Sequence, residues 1–240
     1  MPRTRATFAR LSALLAAGLF VLLAGACRSP APTIHYYQML GQPLEMSGAQ
    51  RSDIVLGVDY LSANAAYEDT RIIYRKSAYR LDYYNFHRWS APPSVMVTDV
   101  MRDAFHESGY FKGVRSGFSN GVDLLVRGRL IALEEVDISE SEWEARIILD
   151  LQVVDTRSGD VVWARVIRKE QAIEERTPEG VAVAASEGLK AIVKEIAPEI
   201  AKVPRGRSTR SKSPTSSPAS GGGMGSGQEE EMMPRASEGG

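Results

Sequence analysis

The 240-residue chain reads as α+β: an antiparallel-dominated sheet with two main helices packed on it, in a single domain. Three observations predict this. Apolar residues alternate with polar ones, the strand period, over Ile54–Tyr60, Val122–Leu130 and Ala145–Val153. Two further segments carry apolar stripes at helical spacing. The strand pairs signalled by turns are neighbours in sequence, which favours antiparallel pairing over a doubly wound parallel sheet.

Taken in order, Tyr36–Met39 reads as a short strand, and Ile54, Leu56, Val58 and Tyr60 as one face of a second. Arg71–Lys76 and Tyr79–Asn85 form a hairpin pair. Ser90-Ala91-Pro92-Pro93 starts a helix, because a first-turn proline forfeits only an N–H that has no helical partner. Val97, Val100, Met101, Ala104 and Phe105 then make one stripe, which Gly109 ends. Phe111–Val114 is a brief strand. After it come the strands around Val122–Leu130 and Ala145–Val153, a turn at Asp155–Asp160 in which Gly159 is free to take positive φ, and a returning strand Val161–Lys169. Thr177-Pro178 caps the last helix, whose buried stripe is Val181, Ala185, Leu189, Ile192, Val193, Ile196 and Ile200; Pro198 is expected to kink or end it.

Both ends of the chain differ from this middle. Residues 1–26 hold Arg3, Arg5 and Arg10, no acid, and sixteen uncharged residues from Leu11 to Ala26. That is the pattern of an export signal, shorter than the ~20 apolar residues of a membrane-spanning helix. It ends Leu23-Ala24-Gly25-Ala26-Cys27, with the chain's only cysteine, and resembles a bacterial lipobox. Cys27 is therefore the expected lipidation site, with palmitate-type chains anchoring the protein to a membrane. Arg28 after it, by analogy with enterobacterial sorting, points to the outer membrane, periplasmic face. Residues 27–34 form a linker: the six from Arg28 to Thr33 reach at most about 20 Å. The folded domain spans 35–203. The tail 204–240 begins with Arg205, Arg207, Arg210 and Lys212, turns rich in Ser, Pro and Gly, and ends beyond Glu229-Glu230-Glu231; it is expected to be disordered.

Composition excludes several functions. The chain has 29 Lys plus Arg against 30 Asp plus Glu, and loss of residues 1–26 moves its formal charge from −1 to −4. No nucleic-acid partner is expected of such an exported chain. One cysteine leaves no disulfide framework and no Cys-rich zinc site. Gly117-Phe118-Ser119-Asn120-Gly121 fits the pattern of a nucleophile elbow, but the residues after Ser119 read as a strand where an elbow needs a helix. An envelope serine hydrolase is thus a minor alternative. His35, His87 and His106 are the only histidines, and Asp103 with His106 on one helix face is too few ligands for a metal. No cofactor and no catalytic residue are expected.

Six of the eighteen aromatics fall within sixteen residues, Tyr74, Tyr79, Tyr83, Tyr84, Phe86 and Trp89, interleaved with Arg71, Arg75, Lys76, Arg80 and Arg88. Such a run either packs the inner face of a hairpin or contacts a partner or lipid.

The run Tyr36-Tyr37-x-Met39, the strand Ile54–Tyr60 and above all Arg80-Leu81-Asp82-Tyr83-Tyr84-Asn85-Phe86-His87-Arg88-Trp89-Ser90-Ala91-Pro92-Pro93 are similar to the ABC-type transport auxiliary lipoprotein family. The resemblance continues through helix 94–107, Gly109-Tyr110-Phe111, Leu125–Leu130, Glu142–Val154 and the Asp155…Gly159…Trp163 hairpin, roughly 35–200; the tail lies outside it. It implies a non-catalytic outer-membrane lipoprotein serving a transporter of the mammalian-cell-entry type, which moves lipids or other hydrophobic molecules across the envelope. Implied partners are transporter components and a lipid; a homo-oligomer stays open. The expected contact surface is Tyr84, Arg88, Trp89 and the Pro92-Pro93 turn. The alternative is an assembly or pilot lipoprotein of another envelope complex.

Overall fold

The computed structural model describes residues 31–41, 44 and 50–204. The expected export signal over residues 1–26, Cys27 and the tail from 205 onward lie outside the described residues.

Among the described residues nine strands and two helices follow one another: β1 (His35–Tyr37), β2 (Val55–Val58), β3 (Ser62–Ala63), β4 (Arg71–Ser77), β5 (Arg80–Trp89), α1 (Pro93–Glu107), β6 (Gly113–Ser116), β7 (Leu124–Asp137), β8 (Trp143–Asp155), β9 (Val161–Ala172) and α2 (Pro178–Ile200). A 3₁₀ turn, Ala65–Tyr67, lies between β3 and β4. The long ladders, β4 with β5, β7 with β8 and β8 with β9, are antiparallel, and they make the sheet antiparallel-dominated. Five short parallel ladders complete it: β1 on β5, β2 on both β6 and β7, and β3 and β4 on β7. The expectation of neighbouring antiparallel pairs thus covers the long ladders. The parallel ones join segments far apart in the chain, which no local turn announces.

β7 is the hub. Its 14 residues span about 46 Å at the usual rise per residue. That is enough for β2, β3 and β4 to pair one after another along one edge, at Leu124–Val126, Arg129–Leu130 and Glu135–Val136, while β8 takes the other edge. A register shift between Leu130 and Ala132 leaves Ile131 without an opposite residue. Leu130 faces across to Leu149 and Leu133 to Ile147, all within the core, so inward side chains change from even to odd positions at this bulge. The alternation seen at Val122–Leu130 stops there for this reason, and the strand runs seven residues beyond it to Asp137.

Between sheet and helices lies the core. Ala145, Ile147, Leu149, Leu151 and Val153 of β8 are all fully buried, each large aliphatic side chain contributing about 1.5–3 kcal/mol. Every residue named in the two expected helical stripes is buried in the same core cluster. Thr177 caps α2 as expected, its Oγ1 accepting the Gly180 N–H at 3.0 Å. Gly109 and Gly159 hold φ of 72° and 79° at their turns. Several details differ from expectation: β1 covers His35–Tyr37 and not Tyr36–Met39, and β6 covers Gly113–Ser116 and not Phe111–Val114. Tyr60 is 54% exposed, because β2 ends at Val58 before the alternation can carry it inward. α2 runs through Pro198 to Ile200, the proline sitting in the last turn, where it forfeits little of the helical ladder.

α2 approaches β8 closely at Gly188, where a Cβ would lie 2.8 Å from Ile147 Cδ1. Only the tip of a side chain blocks it. Gly188→Ala should be close to neutral, the tip's small shift offset by better helix propensity. Gly188→Leu should lose about 1–3 kcal/mol of stability in chemical denaturation through overpacking.

Candidate functional site

Glu134 and Glu135 of β7 are 3% and 1% exposed. Being consecutive in a strand, they point to opposite faces of the sheet, and each buried carboxylate organises a separate cluster. A charge buried so deeply needs both a counter-ion and hydrogen bonds.

Glu134 faces away from the helices. Arg75 Nε lies 2.9 and 3.0 Å from its two oxygens, Tyr67 OH donates at 2.7 Å, and Arg146 Nη1 approaches at 3.3 Å. Arg146 Nε continues to Glu170 at 3.0 Å, which also takes Arg168 Nη2 at 2.6 Å. Arg75 additionally donates to Ala78 O, tying the β4–β5 turn to the network. The result is a charge-alternating ladder, Arg75–Glu134–Arg146–Glu170–Arg168, across four strands. Burial and the adjacent Glu134 carboxylate push the Tyr67 phenol up to about 12, so it stays protonated and donating. Glu134 holds the Arg75 guanidinium firmly in its charged form. The two arginines beside Glu170 keep that carboxyl below the ordinary range.

This ladder floors a groove of about 760 Å³, walled by the 3₁₀ turn and the β4–β5 hairpin and lined with apolar patches from Leu81, Ile131, Ile138 and Ile148.

Glu135 faces the helix side. Tyr84 OH donates to it at 2.7 Å, and Arg176 Nε stands 3.9 Å away while its Nη2 binds Asp137 at 2.9 Å. The Arg176 guanidinium also lies over the Trp143 ring, 4.4 Å from its centre. Burial, reinforced by the neighbouring Asp137 carboxylate, raises the Glu135 carboxyl above its ordinary value. Burial and the Glu135 charge likewise raise the Tyr84 phenol.

The aromatic run has a mixed fate. Tyr84 lies edge-on to Tyr74 at 5.1 Å and to His87 at 5.8 Å. His87 stacks on His35 at 5.5 Å and bonds Tyr37 OH through Nδ1 at 2.9 Å. The parallel β1–β5 register sets His35 opposite His87, a pairing between residues 52 positions apart that no spacing in the sequence reveals.

The expected contact surface is corrected in part. Trp89 is 1% exposed and Pro93 is buried, both in the core where β5 turns into α1. Tyr84 and Arg88 are half-buried, and Pro92 is exposed. The aromatic step Trp89–Pro93 is thus mainly a packing device.

Ser119 stands in a turn between β6 and β7; its carbonyl accepts the Val122 N–H at 3.1 Å, and a strand follows it. Its hydroxyl has no hydrogen bond among the described residues. His106 and Asp103 are exposed on α1, and Glu107 instead accepts the Leu44 N–H at 3.0 Å. Among the described residues no three His, Cys, Asp or Glu side chains converge as a metal site would require.

Two substitutions separate the roles of the paired glutamates. Glu134→Ala leaves two partly buried arginines and a phenol without their partner and should cost about 3 kcal/mol in chemical denaturation. At Glu135 the fold favours the protonated form. Its stabilising contribution is full below the ordinary glutamate range and is lost as pH rises through the elevated folded value. Glu135→Gln should therefore lose less stability than the parent as pH rises from the ordinary glutamate range to neutrality, measured by denaturation at both ends.

A comparison with curated proteins finds no match. Among solved structures, a Xanthomonas campestris protein of the DUF330 family aligns with TM-score 0.60 at 20% identity, covering 68% of this chain and 92% of that one. An uncharacterized protein aligns with TM-score 0.56 at 14% identity, covering 70% and 99%. A PelC dodecamer from Paraburkholderia phytofirmans gives TM-score 0.40 at 12% identity, covering 64% and 94%. At these identities the first two share the fold. The family model for the ABC-type transport auxiliary lipoprotein component matches residues 37–197, from the last residue of β1 nearly to the end of α2. The chain belongs to the ABC-type transport auxiliary lipoprotein component family.

Proposed function

We propose that the protein is a non-catalytic, lipid-anchored adaptor of the cell envelope that docks a transporter of the mammalian-cell-entry type at the outer membrane. The observation that carries this reading is the extent of the family match, which takes in nearly the whole sheet and both helices. Ser119, in a turn followed by a strand, supports the non-catalytic part.

The mechanism is positioning. Acyl chains on Cys27 hold the domain at the bilayer, two or more chains being needed for stable anchoring. Confinement raises the local concentration of adaptor and transporter, so modest contacts suffice. The groove over Glu134 offers such a contact. In its ladder three arginines meet two glutamates, leaving one net positive charge, while Leu81, Ile131, Ile138 and Ile148 offer apolar area. The exposed rim of Lys76 and Arg168 suits an acidic or amphiphilic ligand.

Metabolic labelling tests the anchor. The parent should incorporate palmitate and fractionate with the outer membrane, whereas Cys27→Ser should do neither. Crosslinking in cells tests the partner: a permease, substrate-binding or membrane-spanning transporter component is the expected adduct. Recovery of only secretion or pilus components would select the assembly-lipoprotein reading instead.

A further inference from the structure

A second surface lies on the other side of the molecule, where the N-terminal segment and β9 flank the start of α2. Two adjoining grooves, of about 350 and 320 Å³, share Glu179 and Val183. Tyr36, Leu40 and Val183 border the larger one and are 65%, 55% and 54% exposed. Single exposed apolar residues are ordinary, but three of the eleven large ones exposed in the described structure meet here. Val183 lies off the buried stripe of α2 and borders both grooves, so it is not part of the core.

The rim is uniformly acidic. Glu174, Glu175, Glu179 and Glu187 line the grooves and no Lys or Arg does. Of these, among the described residues, only Glu187 has an ion pair, with Lys190 at 3.9 Å. The α2 N-terminus accounts for an acid at Glu179, in the first turn; it does not account for the other three. The opposite face, where every acid of the Glu134 ladder meets an arginine, shows how this fold treats carboxylates whose charge is not left for a partner.

We infer that this surface receives a protein segment that sets apolar side chains between lysines and arginines, such as an amphipathic basic helix or strand of another envelope protein. Two grooves that share Val183 fit individual side chains, which a flat bilayer cannot supply. The acidic rim also repels anionic lipid surfaces. The inference rests on the adaptor reading only for the existence of a partner, and the binding test below needs no transporter.

A fluorescent amphipathic Leu/Lys peptide titrated into the full-length mature protein should bind. Affinity should fall about tenfold or more in the combined Glu174→Lys, Glu175→Lys, Glu179→Lys variant, in Val183→Asp, and on raising salt from ~0.1 to ~0.5 M. A Leu/Glu peptide should bind at least about tenfold more weakly than the Leu/Lys one. Circular dichroism checks that the variants, all at exposed positions, stay folded. In cells, a photo-crosslinker at Val183, with Val166 as control, should capture a basic, apolar segment of a protein partner at position 183 only. Equal binding of both peptides, insensitivity to charge reversal, or adducts at 183 with lipid, with a second copy of this chain or with an acidic segment would overturn the assignment. Loss of transporter adducts with peptide binding intact would count against the adaptor reading alone.

Discussion

The pairing of β7 on both of its edges is the constraint on which the rest of the sheet depends. Three short strands, β2, β3 and β4, have two to seven residues each and could not hold a place alone; each finds its register on a different stretch of β7. Through β2 comes β6, through β4 come β5 and β1, and through β8 comes β9. The antiparallel β7–β8–β9 meander forms from neighbouring segments. The parallel additions must then close longer loops, and their entropy is met by burial against the two helices.

The bulge at Ile131 gives β7 two different halves. Before it, one face meets the helices and the other is open, with Arg127 and Arg129 exposed. After it, residues 132–136 are buried on both faces, because the 3₁₀ turn and the β4–β5 hairpin cover the side away from the helices. Two consecutive glutamates occupy this doubly covered stretch. Their burial is tolerable because the hairpin brings both remedies at once: Arg75 to one face and Tyr84 to the other. The same hairpin thus supplies a partner to each glutamate and builds a wall of the groove over Glu134, coupling the groove's shape to the integrity of β7.

The two candidate surfaces contrast in electrostatics. On the side away from the helices, cation and anion alternate, with one arginine in excess, beside apolar patches. Around the start of α2 the carboxylates are left largely uncompensated beside exposed Tyr36, Leu40 and Val183. Two chemically distinct faces can hold one partner by apolar contact and another by charge.

The sequence by itself determined the α+β class, the two helical stripes, the long hairpins and the Thr177 cap, because each depends on residues within one or two turns or one strand pair. The same locality made the Tyr36–Tyr37 and Arg80–Pro93 segments recognisable as those of a family. Only the tertiary structure decided the parallel ladders, the His35–His87 stack, the double burial at Glu134 and Glu135, and the inward position of Trp89 and Pro93. These join segments tens of residues apart. Glu134-Glu135 reads locally as a solvated pair, and its partners Tyr67, Arg75, Tyr84, Arg146 and Arg176 carry no spacing relation to it. A bulge that exchanges the faces of a strand erases the alternation from which burial is read, so beyond Leu130 the pattern of side chains became legible only once the neighbouring strands were in place.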